Sequence, residues 1–162
     1  MKRFVLISAF CALLAGCDYT TPLVTAPAVD IDPAAIGVWQ RTSAYGNTET
    51  LLVLPLNRHE YLVSFPAGAK HAMFARATTW RGADMTLVQA DWFGTAEGKV
   101  PDDKRTFQYA AYAIEGDSIT VRLLNPEVVS KDIASTEALA QAIADNKNHP
   151  RLFREAMVFR KI

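Results

Sequence analysis

The feature that most constrains the fold of this chain is a series of short runs, rich in apolar residues, in which apolar and polar residues tend to alternate with a period of two. Such alternation, interrupted by turn residues, is the pattern of half-buried β-strands joined by hairpins. The runs cover residues 36–43, 48–54, 60–65, 71–80, 84–93, 106–115, 118–124 and 157–162. Most of the connections are short, and short connections force neighbouring strands to run antiparallel.

A different period appears just before the last run. Ser135 is a suitable N-cap for a helix over about residues 135–147, and Glu137 lies in the first turn of that helix. Leu139 and Ile143 contribute to an apolar stripe along one of its faces. The sequence therefore predicts one helix between the seventh and the eighth run.

An antiparallel meander leaves two open edges unless its last strand pairs with its first, and closure removes both edges. We therefore predict a mainly β fold of the α+β class, in which a meander of seven or eight strands closes into a small barrel with a helix before the last strand. An open, strongly bent sheet wrapped on the helix is the alternative.

The amino terminus has the layout of a secretory signal peptide. Lys2 and Arg3 precede an apolar run over residues 4–14, which is followed by small residues. The run is about a dozen residues long, too short for a stable transmembrane helix. We therefore predict that residues 1–16 are a cleaved signal peptide.

The end of this leader, Leu14-Ala15-Gly16-Cys17, resembles the lipobox of bacterial lipoproteins. The resemblance implies cleavage before Cys17, attachment of a diacylglycerol to its thiol, and acylation of the new amino terminus by palmitate or a similar chain. Because each buried methylene contributes roughly 0.8 kcal/mol, two or three acyl chains anchor a protein that one chain would hold only weakly. The chain is accordingly expected to be lipid-anchored in the bacterial cell envelope and to face the periplasm.

The segment after the lipobox has the composition of a spacer. Residues 18–33 contain three prolines and no consistent period, which indicates an extended tether. At ~3.3 Å per residue it could hold a domain up to about 50 Å from the bilayer. Asp18 resembles the inner-membrane retention signal of enterobacterial lipoproteins, so the inner membrane is slightly favoured and the outer membrane is the alternative. The predicted organisation is a signal peptide over 1–16, a lipidated cysteine and tether over 17–33, and a barrel domain over 34–162.

Composition and charge disfavour several classes of function. The chain has 17 Lys and Arg against 17 Asp and Glu and no basic cluster, so it lacks the electrostatic footprint of a nucleic-acid binder. Cys11 is removed with the leader and Cys17 is consumed by lipid, so we expect no disulfide and no cysteine metal site in the folded body. The histidines lie on separate segments, and no catalytic spacing is present. We therefore expect no metal, no cofactor and no enzymatic activity.

Gly37-Val38-Trp39, in the first run, resembles the Gly-x-Trp motif of lipocalins and related calycins. In that superfamily the tryptophan plugs the closed end of the barrel, and an arginine from the last strand packs over it. The resemblance implies that Gly37, Trp39 and Arg160 form a structural plug at one barrel end. Stacking a guanidinium on an indole contributes on the order of 1 kcal/mol.

Aromatic residues are the remaining candidates for contacts with a ligand or partner. Trp80, Trp92 and Tyr109 would serve such a contact, or else fill the core of a small barrel. Residues 121–125 and 148–153 resemble the tail of small uncharacterised proteobacterial lipoproteins, a likeness that implies no activity. The favoured interpretation is a membrane-anchored envelope lipoprotein that acts as a non-catalytic binding module for a protein partner. The alternative is a lipocalin-like carrier of a small hydrophobic ligand.

Overall fold

The computed structural model describes residues 19–99 and 106–162 and shows a closed antiparallel β-barrel with one α-helix in that part of the chain. The elements are β1 (Gly37–Thr42), β2 (Thr48–Pro55), β3 (Glu60–Phe65), β4 (Met73–Gly82), β5 (Met85–Thr95), β6 (Phe107–Glu115), β7 (Ser118–Leu123), α1 (Thr136–Asp145) and β8 (Met157–Lys161). The predicted barrel and the place of its helix before the last strand are confirmed. The predicted signal peptide, the lipidation site at Cys17 and Asp18 lie outside the described residues.

Closure of the barrel depends on the pairing of its first and last strands. Each strand pairs antiparallel with the next, and β8 returns to β1. The closing contact is short, with Trp39 opposite Lys161 and Gln40 opposite Arg160. Because both ends of the meander are paired, the alternative of an open, bent sheet is excluded.

The hairpin between β4 and β5 shows how the local sequence sets strand register. Ala83 and Asp84 both have positive φ, at 52° and 60°, and the flanking residues Gly82 and Met85 lie opposite each other. A two-residue loop with both residues in the left-handed region is a type I′ turn, whose twist matches that of the strands it joins. This turn therefore determines which residues of β5 face the barrel interior.

The helix begins where its sequence predicts. The Ser135 hydroxyl accepts a hydrogen bond from Ala138 N at 3.1 Å, which satisfies one of the unpaired amides of the first turn. Leu139 and Ile143 are fully buried in a core that α1 shares with the outer surface of the barrel. The apolar stripe predicted from the sequence is thus the face that packs.

Apolar side chains form two separate cores, one inside the barrel and one outside it. The buried members of the inner core are Ala35, Trp39, Val53, Tyr61, Ala77, Ile119 and Phe159. The outer core lies on the outer faces of β4–β6, and its buried members are Tyr19, Leu23, Leu87, Tyr109, Leu124, Val129, Leu139, Ile143 and Leu152. A strand with a core on each side must be apolar on both faces, which explains the near-continuous apolar composition of β6.

The segment before β1 is packed on the barrel, which differs from the free tether expected over residues 18–33. Tyr19 is 1% exposed and forms an antiparallel bridge with Phe107. Leu23 is also buried, and its amide donates to Gln89 Oε1 at 2.7 Å. The prolines keep the backbone extended, but the burial of these two side chains and the hydrogen bonds offset the entropy lost on ordering. The described part of this segment therefore belongs to the folded domain.

Candidate functional site

One end of the barrel is closed by the short 3-10 turn Pro33–Ala35 and by Trp39. The indole N–H of the fully buried Trp39 donates to the carbonyl of the last residue of the turn at 3.0 Å. Two inward-facing phenols hold the residue that caps the turn, because Asp32 N donates to Tyr61 OH and Tyr112 OH donates to Asp32 Oδ2 at 3.3 Å. Burial raises the pKa of Tyr112, so this phenol stays protonated and remains a donor. We call this end the plugged end.

The cation over Trp39 is Lys161 and not Arg160, which corrects the expectation from the lipocalin motif. Lys161 Nζ lies 4.9 Å from the centroid of the indole, because Lys161 is directly opposite Trp39 in the register. Arg160 is one residue away and points to the outer face, where it is exposed. Gly37 makes room for the lysine, since a Cβ at that glycine would lie 2.8 Å from Lys161 Cε.

The opposite end, which we call the mouth, is formed by the connections that follow β1, β3 and β7 and, after β5, by the described residues 96–99. An ion pair spans β1 and β2 near this end, with Arg41 Nη2 2.6 Å from Glu49 Oε2 and with side chains that are 21% and 13% exposed. The Arg41 guanidinium also lies 5.2 Å from the centroid of the Phe159 ring. Because Glu49 neutralises Arg41, the pair adds no net charge to the mouth.

Part of the wall between the plugged end and the mouth is lined by small side chains. On β4 and β5, Ala75 lies opposite Trp92, and Ala77 lies opposite Ala90. On the other side of β4, Val63 of β3 lies opposite Ala75. Val63 points inward but is only partly buried. An eight-stranded barrel has an interior just wide enough for side chains or one small ligand, and on this part of the wall the inward residues are small.

Trp92 lies on the inner face of β5 and carries a buried polar group. The residue is 7% exposed, and its indole N–H has no hydrogen-bond partner among the described residues. A buried donor left unpaired costs about 1–3 kcal/mol, so few native structures contain one without a reason. An acceptor atom on a ligand bound in the barrel would satisfy it.

The other two aromatic residues singled out in the sequence, Trp80 and Tyr109, lie on the outside of the barrel. Tyr109 is fully buried, its hydroxyl donates to Thr21 O, and burial raises its pKa well above the usual value. Its ring meets Tyr19 edge-on, with 5.1 Å between the ring centroids. Trp80 packs against the same outer core. The structure therefore separates the three candidates, with Trp92 inside and the other two beneath the chain's own covering segments.

An apolar row on the outer faces of β1–β3 forms a second candidate contact region. Val38 lies opposite Leu52, and Leu54 lies opposite Leu62. Leu54 is 39% exposed and the other three are partly exposed; we call these four residues the outer wall. Polar residues are the usual occupants of a solvent-facing strand surface. The nearly continuous apolar run over residues 48–54, unbroken over 51–54, is the sequence signal for this row, but it does not distinguish an exposed apolar face from a strand buried on both faces.

The tail segments over residues 121–125 and 148–153 pack together as one structural unit. Leu124 forms an antiparallel bridge with Phe153, which ties the end of β7 to the chain that leads into β8. A surface depression of about 430 Å³ beside them is lined in part by Arg122 and Lys147, and Lys147 pairs with Asp84 at 3.2 Å. These segments therefore pack against each other at the end of β7.

Within residues 19–99 and 106–162, no group of His, Cys, Asp and Glu side chains is placed to hold a metal ion. Over the same ranges, no helix has the length and hydropathy needed to span a bilayer. Comparison of the chain with family models, with curated proteins and with solved structures finds no match. The function is therefore argued from the geometry of the barrel.

Proposed function

We propose that this chain is a membrane-anchored envelope lipoprotein whose barrel acts as a non-catalytic binding module for a protein partner. The observation that supports the proposal is the outer wall, an apolar row in cross-strand register on β1–β3. On β4–β6 the chain covers the equivalent outer surface with its own N-terminal segment and α1. A protein partner would cover the outer wall in the same way.

The surroundings of the outer wall have the character of an interface. Leu62 lies opposite Arg76, whose guanidinium forms an ion pair with Glu60 at 2.9 Å. An apolar centre with charged groups at its rim is the usual anatomy of a protein–protein interface. Burial of one leucine side chain contributes roughly 1.5–3 kcal/mol, so a partner that covers the row gains enough free energy for a specific contact.

Leu54→Glu is expected to weaken partner binding while leaving the barrel folded. Leu54 is exposed enough to accept a charge in the free protein, whereas a carboxylate inside an apolar interface would be desolvated without a partner. Ala113→Glu is the matched control, because Ala113 is an exposed position on β6. In crosslinked pull-downs of the native lipoprotein, analysed by mass spectrometry, Leu54→Glu should lose a protein that wild type and Ala113→Glu both retain. Equal recovery by the two variants would show that the outer wall is not the interface.

The lipid anchor is tested at Cys17. Cys17→Ala removes the only side chain of the lipobox that can form a thioether, so we expect a precursor that is neither acylated nor cleaved and that keeps residues 1–16. Fatty-acid labelling and intact mass measure both properties. Cys11→Ala, within the leader, is the control and should be processed as wild type. Normal acyl labelling of Cys17→Ala would refute the anchor.

A second candidate function is that of a lipocalin-like carrier of a small hydrophobic ligand, and Trp92 is the observation that favours it. An indole N–H that has no partner among the described residues, beside inward-facing Ala75 and Ala90, suits an apolar ligand that ends in an acceptor group, such as the carboxylate of a fatty acid. A carrier of this kind would release lipid when the native protein is extracted with organic solvent.

Trp92→Phe tests the carrier because it keeps an aromatic ring and removes the N–H. Loss of one hydrogen bond to a charged acceptor costs roughly 1.5–3 kcal/mol, so the affinity for a fluorescent fatty acid should fall about tenfold or more. Trp80→Phe alters a tryptophan of the outer core and should leave that affinity unchanged. Absence of binding by wild type, or equal binding by the two variants, would count against the carrier.

A further inference from the structure

The position of Tyr19 determines how far the domain can stand from a lipid on Cys17. Cys17 precedes Tyr19 by two residues, and two residues of extended chain span at most ~7 Å. Tyr19 is held firmly, because its hydroxyl donates to Val129 O at 2.8 Å and its backbone makes two hydrogen bonds with Phe107, both 3.1 Å long. The lipid anchor of the proposed function, on which this inference rests, is therefore too short to lift the barrel away from the bilayer.

Tyr19 also lies near a particular end of the barrel. Its partner Phe107 is the first residue of β6, at the mouth. Strand β6 runs from there to the plugged end, where Lys161 N donates to Asp117 O in the turn that follows β6. A lipid attached two residues before Tyr19 is consequently nearer the mouth than the plugged end.

The side chains around the mouth suit the surface of a bilayer. Tyr45, in the turn after β1, is 85% exposed, and Phe93, near the end of β5, is 49% exposed. Tyrosine is enriched where membrane meets water, and phenylalanine is common on the apolar side of segments that lie at that interface. Lys70 and Lys99, in the connections after β3 and β5, have side chains that are 88% and 74% exposed; both pair with Glu97, at 3.7 and 3.3 Å, which leaves one net positive charge in this group of three. Long lysine side chains can lay their stems along an apolar surface while their charges reach lipid phosphates.

We propose that the mouth of the barrel rests against the lipid bilayer, with Tyr45 and Phe93 at the level of the headgroups. The short anchor keeps the mouth within reach of the surface, and the aromatic rim favours that orientation over others. The outer wall then lies to the side of the membrane contact and remains accessible to a periplasmic partner. A hydrophobic cargo would enter the barrel directly from the bilayer.

The orientation can be measured with fluorophores on single introduced cysteines. The only cysteines of the chain are Cys11, in the predicted leader, and Cys17, the proposed acylation site. An introduced cysteine is therefore the one free thiol of the lipidated protein. Ala44→Cys places an environment-sensitive fluorophore at the mouth, and Asp117→Cys places it at the plugged end. Each lipidated protein is reconstituted into vesicles of phosphatidylethanolamine and phosphatidylglycerol that carry a nitroxide quencher on the headgroup. We expect several-fold stronger quenching of the Ala44→Cys label. Equal quenching, or stronger quenching at Asp117→Cys, would overturn the orientation.

A longer anchor provides the control for the mechanism. A Gly-Ser insertion of about 12 residues before Tyr19 spans about 20 Å on average, and it should reduce the difference between the two labels. A difference unchanged by the insertion would overturn the role of the short anchor.

Vesicle flotation and intact mass of the unlabelled wild type separate the two proposals. A chain that is not acylated and does not float contradicts the anchor, whereas an acylated, floating chain with equal quenching contradicts only the orientation.

Discussion

Trp39→Ala is expected to lower the free energy of unfolding by about 3–5 kcal/mol, the cost of truncating a large buried aromatic residue. Trp39 is fully buried at the plugged end, where it packs in the inner core with Tyr61 and Phe159. Its loss leaves a cavity there and deprives the Ala35 carbonyl of its donor. Denaturant unfolding followed by circular dichroism measures the change. A loss of this size is a large share of the free energy of unfolding of a typical domain, roughly 5–15 kcal/mol.

Two variants of the last strand test how the plug is built. Lys161→Ala removes the cation over the indole and should cost about 0.5–1 kcal/mol. Arg160→Ala alters an exposed outer position and should stay within about 0.5 kcal/mol of wild type. A larger loss for Arg160→Ala than for Lys161→Ala would contradict the register of β8 against β1.

Tyr19→Ala is expected to destabilise the domain by a similar amount, about 3–5 kcal/mol. Tyr19 lies twenty positions before Trp39, in a segment whose composition predicts a spacer. Its side chain is nevertheless buried in the outer core. Truncation removes its edge-on contact with Tyr109 and its hydrogen bond to Val129 O. Unfolding of the protein by denaturant measures the loss.

Tyr19→Phe separates the hydrogen bond from the packing. It keeps the ring and removes only the hydroxyl, so the expected loss is about 1 kcal/mol. Thr25→Ala, at an exposed position of the same segment, should be close to neutral. If Tyr19→Ala were as stable as Thr25→Ala, the segment would be a free tether after all.

Local patterns predict the fold of this chain well. The run over residues 60–65 coincides with β3, and the other predicted strands differ from the observed ones by at most a few residues. Period-two alternation, turn residues and a capped helix are all local features, and each survives in the folded structure because no tertiary contact opposes it. Closure follows from the same reasoning, since an unpaired edge at each end of a meander is unfavourable.

The candidate site is less predictable because it depends on register and on contacts between distant residues. A shift of one residue along β8 exchanges Arg160 for Lys161 over Trp39, and nothing local distinguishes the two. The Tyr19 hydroxyl meets a carbonyl 110 residues away, a contact that composition does not reveal. The same limitation applies to Trp80 and Trp92, because alternation gives the two faces of a strand without saying which one is covered by the rest of the chain.

Amide hydrogen exchange of the protein tests most directly that the segment before β1 is part of the barrel. Three amides of this segment donate to acceptors on the barrel. The Tyr19 amide donates to the carbonyl of Phe107, and the Leu23 amide donates to the side chain of Gln89. The Ile31 amide donates to the carbonyl of Arg58, in the loop after β2. We predict that these three amides exchange slowly, at rates close to those of β6. Exchange as fast as that of an unstructured peptide would contradict the packed segment, and with it the short anchor and the membrane-facing mouth.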